Sequence, residues 1–285
     1  MYSNTFIRKY IGVFYSHPLL STIGLAFAFI LSFTSHTATA DLVKVGGTGS
    51  ALGSIKHLAR AFELQHPNTR VVAIESLGSS GSIKAVTAGA LDISLSARPL
   101  KVAERTLNLT ALEVARTPLV LASMHRHNAF NTSDISKIFD GRLATWPDNS
   151  PLRPVLRPNS DAESDLLRAI SPDIDRALSI AHQRPGVHIA ITDQDSADAI
   201  ERIPGAIGTS TLALIYSEQR SIHALPLDGV MPSVNNLAHG RYPYFKPLYL
   251  ITAQNISAPA RAFIAFILSR QGASILSSNG YLLVP

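Results

Sequence analysis

The strongest constraint on this chain is a strand, loop and helix unit that occurs twice in succession. Leu42 to Val45 reads as a short strand and Gly46 to Gly49 as a small-residue loop. Ser50 to Gln65 reads as a helix, because Ile55, Leu58, Ala59 and Phe62 fall on one face at helical spacing. His66-Pro67-Asn68 stops it. The second copy has a strand from Val71 to Ile74, a loop from Leu77 to Gly81 and a helix from Ser82 to Ala90, with Ile83, Val86 and Ala90 inward. The words Gly53-Ser54-Ile55-Lys56 and Gly81-Ser82-Ile83-Lys84 stand at the same place in each copy. Leu91 to Ser96 supplies a third strand. Strands and helices alternating through short loops make a parallel sheet flanked by helices, so the fold class is α/β.

Further along, Thr117 to Ser123 is an apolar run without alternation, which predicts a buried strand. A helix is predicted near Ser133 to Phe139, an irregular strand at Pro151 to Arg157, and a helix from about Ser160 that carries Leu166, Leu167 and Ile170. Val187 to Ile191 and Ala206 to Ile215 supply further strands or strand–helix units, and Pro247 to Thr252 another buried strand. Pro259 to Ser269 and Gln271 to Ser278 read as a closing helical stretch. No flexible linker or low-complexity segment divides the chain.

Residues 1–40 read as a signal peptide. Arg8 and Lys9 open it, no Asp or Glu precedes Asp41, and the apolar run Leu19 to Phe33 leads to Ala38-Thr39-Ala40, which fits a cleavage site. That run is shorter than the roughly 20 apolar residues needed to span a bilayer. Removing Arg8 and Lys9 takes the net charge from +5 to +3. The remaining basic residues are scattered, so nucleic acid is not an expected partner. The chain has no cysteine. An exported protein of this size without disulfides rests on an ordinary hydrophobic core, and a lipid anchor on cysteine is excluded. The expectation is a protein diffusing freely in a periplasm, as a monomer.

A Gly/Ser-rich loop that opens a helix after a strand gathers free backbone N–H groups and the positive end of the helix dipole at one spot. One such loop can equally serve a turn or a cap. Two neighbouring ones, Gly47-Thr48-Gly49-Ser50 and Gly78-Ser79-Ser80-Gly81, point to an anion site at the carboxyl ends of the strands. Neither is a dinucleotide fingerprint or a P-loop. No Gly-x-Ser-x-Gly elbow is present, so no enzymatic activity is expected. The histidines lack paired metal spacing, with His125 and His127 flanking Arg126, and neither a metal nor a cofactor is expected.

The mature chain resembles the phosphate-binding-protein family, the periplasmic receptors of phosphate ABC transporters. The resemblance lies in Val45 to Leu52, Gly78 to Leu100 (GSSGSIKAVTAGALDISLSARPL), Pro204 to Leu214 (PGAIGTSTLAL), Tyr242 to Thr252 (YPYFKPLYLIT) and Ala262 to Pro285. It implies a type II periplasmic binding protein fold, two α/β lobes joined by two crossing strands, here Pro118 to Ser123 and Pro247 to Thr252. Residues 41–122 plus 245–285 would form one lobe and 123–244 the other. It also implies a small anionic ligand, phosphate or another oxyanion, and an ABC permease as partner. The first-loop ligand positions match Ser50, Ala51 and Leu52, the second-loop serine matches Ser79 beside Ser80, and the second-lobe arginine matches Arg157. Arg98 is a further candidate from the Ser96-Ala97-Arg98-Pro99 segment.

The chain departs from that family at two places. Ala97 stands where family members often carry an aspartate, and Ser160-Asp161-Ala162-Glu163-Ser164 replaces a Ser-Gly-Thr run. Ser160 and Asp161 are therefore candidate ligand contacts, and Asp161 and Glu163 would both lie near the anion. A carboxylate about 4 Å from a phosphate repels it by roughly 1 to 4 kcal/mol. Two readings follow. One is a receptor that delivers an oxyanion to a permease. The other is a binding or sensor protein on the same scaffold, for a non-phosphate ligand or a protein partner, without transport.

Overall fold

The computed structural model describes residues 40–75, 77–126 and 130–284. The expected signal peptide lies outside them, apart from Ala40. The first repeated unit is β1 (Asp41–Gly47), α1 (Leu52–Gln65) and β2 (Thr69–Ile74). The second continues with α2 (Gly78–Thr87) and β3 (Ile93–Ser96). β1 pairs in parallel with both β2 and β3, as the alternation requires. Ile55, Leu58, Ala59 and Phe62 are buried along α1, on the face their spacing marks.

The loop expected at Leu77 to Gly81 is in fact the start of α2, which begins at Gly78. Composition alone reads Gly and Ser as loop, but here their small side chains let the turn lie against β3. Ser82 Oγ donates to Ser79 O and shares a 2.7 Å hydrogen bond with Ser94 Oγ. The same closeness operates at β1. Gly47 has φ 152°, and a Cβ there would drive into the backbone of Leu95.

β4 (Leu109–Ser123) is the long strand of the molecule and starts eight residues before the predicted Thr117. Ala111, Leu112 and Glu113 are residue types that favour helix, but pairing with β9 (Phe245–Ala253) overrides that preference. From Leu109 to Pro118, β4 pairs antiparallel with β9. From Leu119 to Ser123 its partner is β7 (Ala206–Thr211). Leu119 N–H donates to Tyr244 O at 3.1 Å, so the chain passes between the two halves at adjacent points. β4 and β9 are thus two antiparallel crossing strands.

Between them the chain forms α3 (Thr132–Asp140), β5 (Arg153–Leu156), α4 (Ala162–Arg168), α5 (Pro172–Ala181), β6 (His188–Ile189) and α6 (Asp193–Arg202). After β7 come α7 (Leu212–Ser217), β8 (His223–Ala224) and α8 (Val234–Ala238); α9 (Ala258–Leu268), α10 (Arg270–Ser278) and β10 (Leu282–Leu283) follow β9. The strand order is β2-β1-β3-β9-β4-β7-β5-β6, with β8 and β10 both paired to β4. Separate cores lie to either side of the crossing. Val45, Ile55, Phe62, Leu95, Phe263 and Tyr281 belong to one, and Leu119, Phe139, Trp146, Leu178 and Tyr242 to another.

Candidate functional site

The second small-residue turn faces α4 across a cavity of about 230 Å³. Gly78, Ser79, Ser80, Gly81, Arg98 and Lys101 line one wall, and Arg157, Pro158, Ser160, Asp161, Ala162 and Asp165 the other. Six residues singled out from the sequence therefore meet here: Ser79, Ser80, Arg98, Arg157, Ser160 and Asp161. Ser79 is nearly buried and its Oγ accepts the Ala97 N–H at 2.9 Å. The family's aspartate position is thus replaced by a backbone amide bonded to the loop serine. Arg98 lines the cavity but is heavily engaged. It grips Glu104 with both terminal nitrogens, at 2.7 and 2.8 Å, and donates to Ser80 Oγ at 3.0 Å. That grip holds the Glu104 carboxyl below its usual range, against the opposing effect of burial.

Arg157 follows β5 and is 4% exposed. It donates to Ala190 O at 2.6 Å and to Asp161 Oδ2 at 3.1 Å. Asp161 performs both roles that its place allows: its other oxygen accepts the Glu163 N–H and caps α4, while the carboxylate also lines the cavity. Glu163 does not face the cavity, contrary to the expectation that it would lie beside the anion. One helical position separates it from the wall, and it turns inward, 1% exposed, toward two buried cations. Its Oε2 lies 3.5 Å from Arg157 Nε and 3.7 Å from Lys246 Nζ.

Lys246 comes from β9 and is 2% exposed. Its Nζ donates to Asp193 Oδ1 at 2.5 Å, and Asp193 Oδ2 lies 3.9 Å from Arg157 Nη2. Burial would raise the Asp193 carboxyl, but Lys246 and Arg157 more than reverse this and hold it below its ordinary value. Burial pushes Glu163 up, reinforced by the Asp193 charge, and the two cations do not undo it. Burial would lower Lys246, yet Asp193 and Glu163 raise it further than burial lowers it. The same two cations therefore act on both carboxyl groups, but they prevail over burial at Asp193 and not at Glu163.

Asp193 opens α6, and α6 rests on the first loop. Gln194 Nε2 donates to Gly49 O at 2.9 Å and to Glu218 Oε1 at 2.7 Å. Ser50 and Ala51 are buried, 3% and 0% exposed, and neither lines the second-loop cavity. Leu52 lines a neighbouring cavity of about 560 Å³ together with Lys56, His57, Arg60, Glu218 and Arg220. Thr192 borders both cavities. The two loops are themselves adjacent, since Leu77 N–H donates to Gly47 O at 3.1 Å.

Asp193, Gln194 and Lys246 are the residues that the sequence reading missed. Thr192-x-x-Asp195 is a capping box, formed in the structure, and could have placed the start of α6. Among the described residues, no cluster of His, Asp and Glu has the makings of a metal site, and no helix is long and apolar enough to cross a membrane.

The comparisons with known proteins agree with this architecture. A family model described as a PBP superfamily domain matches residues 34–271. The chain belongs to the PBP superfamily. It is 27% identical over 158 residues to the phosphate-binding protein PstS of Bacillus subtilis, a match covering 52% of this chain and 48% of that protein. The chain thus spans about half the length of that relative. Protein SphX of Synechococcus elongatus is 24% identical over 263 residues, covering 83% of this chain and 76% of the other. A Clostridium perfringens protein ascribed to phosphate ABC transport, solved with bound phosphate, superposes with a TM-score of 0.74 at 22% identity, over 86% of this chain and all of that one. At that identity the likeness concerns the fold, which is the type II binding-protein fold. This is a family of substrate-binding receptors, not of enzymes, and this PBP superfamily member resembles its phosphate-binding branch.

Proposed function

We propose that the chain is an exported solute-binding protein that closes its two halves, 41–122 with 245–285 and 123–244, on phosphate or another small oxyanion. The carrying observation is the convergence of Ser79, Ser80, Arg98, Arg157, Ser160 and Asp161 on one cavity of about 230 Å³, with the N-termini of α2 and α4 facing into it. Helix N-termini and hydroxyls replace the hydration of an anion with fixed dipoles. Arg157 supplies a charge-assisted donor there. The ABC-transport description of the Clostridium perfringens protein supports delivery to an ABC permease, and the signal-peptide pattern of residues 1–40 supports export to a periplasm.

A second reading has its own observation. Arg157 is already paired with Asp161 and faces Glu163 and Asp193, an arrangement that favours a ligand less charged than phosphate, bound by a sensor without transport. Calorimetric titration of residues 41–285 with phosphate, sulfate, molybdate and small organic acids tests both. Heat from a tetrahedral oxyanion supports the receptor. Heat only from organic acids supports the sensor, and silence from all of them overturns the cavity as an anion site.

A further inference from the structure

The first loop has the composition of an anion site, yet a side chain of this protein is seated against it. We infer that Asp193 is an internal anion held at the first loop, and that it sets the specificity of the cleft by excluding an external oxyanion from that loop. The inference rests on the cleft being the ligand site and narrows it: a ligand is left the second-loop cavity and reaches Arg157 from the Asp161 side.

Four observations carry it. Asp193 is 6% exposed and meets Lys246 Nζ at 2.5 Å, so the carboxylate holds a buried cation of the crossing strand as a bound anion would. On its other side it abuts the loop itself. A Cβ on Gly49 would meet Asp193 Cβ and Oδ2 at 2.9 Å, which leaves no room for a tetrahedral ion between them, and the Gly49 N–H acts on the same carboxylate. Gln194 fixes the start of α6 on the loop through Gly49 O. Finally, the two buried cations are matched without any guest: Arg157 and Lys246 lie against the carboxyl groups of Asp161, Glu163 and Asp193. A dianion added at the loop would break that balance in a buried setting, where unpaired charge is costly.

The cluster also keeps unused hydrogen-bonding capacity. Arg157 Nε and both Glu163 oxygens are buried and have no hydrogen-bond partner among the described residues. With the Asp193 carboxylate removed, Lys246 Nζ and the Gly49 N–H would face the emptied seat beside them.

Chemical rescue of the full chain tests this. Asp193→Ala should lower Tm in chloride, and formate, acetate or phosphate at equal ionic strength should restore at least half of the loss while moving wild-type Tm far less. Asp193→Asn, whose amide fills the seat, should be destabilised without rescue, and Asp193→Ala combined with Lys246→Met should lose it. If Asp193→Ala does not fold in chloride, refolding in phosphate should yield folded protein. Equal anion dependence in wild type and Asp193→Ala, or failure to fold in every anion, overturns the inference. Wild type that binds no oxyanion beside an Asp193→Ala protein that gains one would keep this inference and sink the ligand reading; the reverse would sink this inference alone.

Discussion

The two loop–helix units carry the same four-residue word and meet different fates. After Gly81-Ser82-Ile83-Lys84 is reached, the preceding turn lines an open polar cavity. Before Gly53-Ser54-Ile55-Lys56, the preceding turn is covered by α6 and faces the Asp193 carboxylate. Local chemistry is nearly equal in the two, since both present small residues and backbone amides at the start of a helix. What separates them arrives from more than a hundred residues away. A loop's capacity for anions is written locally, but its availability is decided by what the rest of the chain packs over it.

The largest expected effect comes from removing the cation that holds Asp193 in place. Lys246→Met would leave the buried Asp193 carboxylate without its hydrogen-bonded cation, and breaking a buried pair costs about 3–5 kcal/mol. Denaturant unfolding measures this, and a loss under about 1 kcal/mol would mean that Lys246 is not what secures the first loop. On the open side, Asp161→Asn keeps a good cap but removes a charge from the cavity wall. Affinity for a small oxyanion should rise about tenfold, which is about 1.4 kcal/mol, as read by calorimetry. An unchanged affinity would place the ligand away from Asp161.

A smaller effect concerns Glu163 and pH. Its folded pKa lies above the ordinary 4.5 because of burial, so above 4.5 the folded state keeps a proton that the unfolded state has lost. Stability should therefore fall as pH rises from 4.5 through the folded pKa and then level. Asp193 has the opposite sign: its stabilisation is complete above 3.8 and is lost as pH falls below it. Glu163→Gln should abolish the fall above 4.5 and leave the acid limb intact. Persistence of that fall in the variant would assign it to another group. The smallest change is Ser80→Ala, which removes one acceptor of Arg98 but leaves the Glu104 pair. Thermal unfolding should move by no more than about 0.5 kcal/mol.

These regions also differ in how legible they were. The doubled unit and its helical faces follow from local periodicity, because Ile55, Leu58 and Phe62 must share a face wherever the chain goes, whereas the crossing of two strands came from the family resemblance. The second turn was recognisable as anion chemistry from its own Gly and Ser residues, and Arg157 through the family resemblance. The contact of Asp193 with Lys246 spans 53 positions, and no pattern near either residue announces it. Glu163 misled because its place in the first turn beside Asp161 sets it near the anion, whereas the Arg157 and Lys246 cations draw it inside. The early half of β4 was hidden by residues that suit a helix until β9 lies beside them.

The account's central claim is that the second turn is open to an external anion and the first is not. Titrating phosphate or sulfate into isotopically labelled wild type while following backbone amide resonances tests it residue by residue. The account predicts saturable shifts at Ser79, Ser80, Gly81 and Ala162, with Gly49, Ser50 and Ala51 unmoved. Shifts at Gly49 to Ala51 with a silent second turn would contradict it.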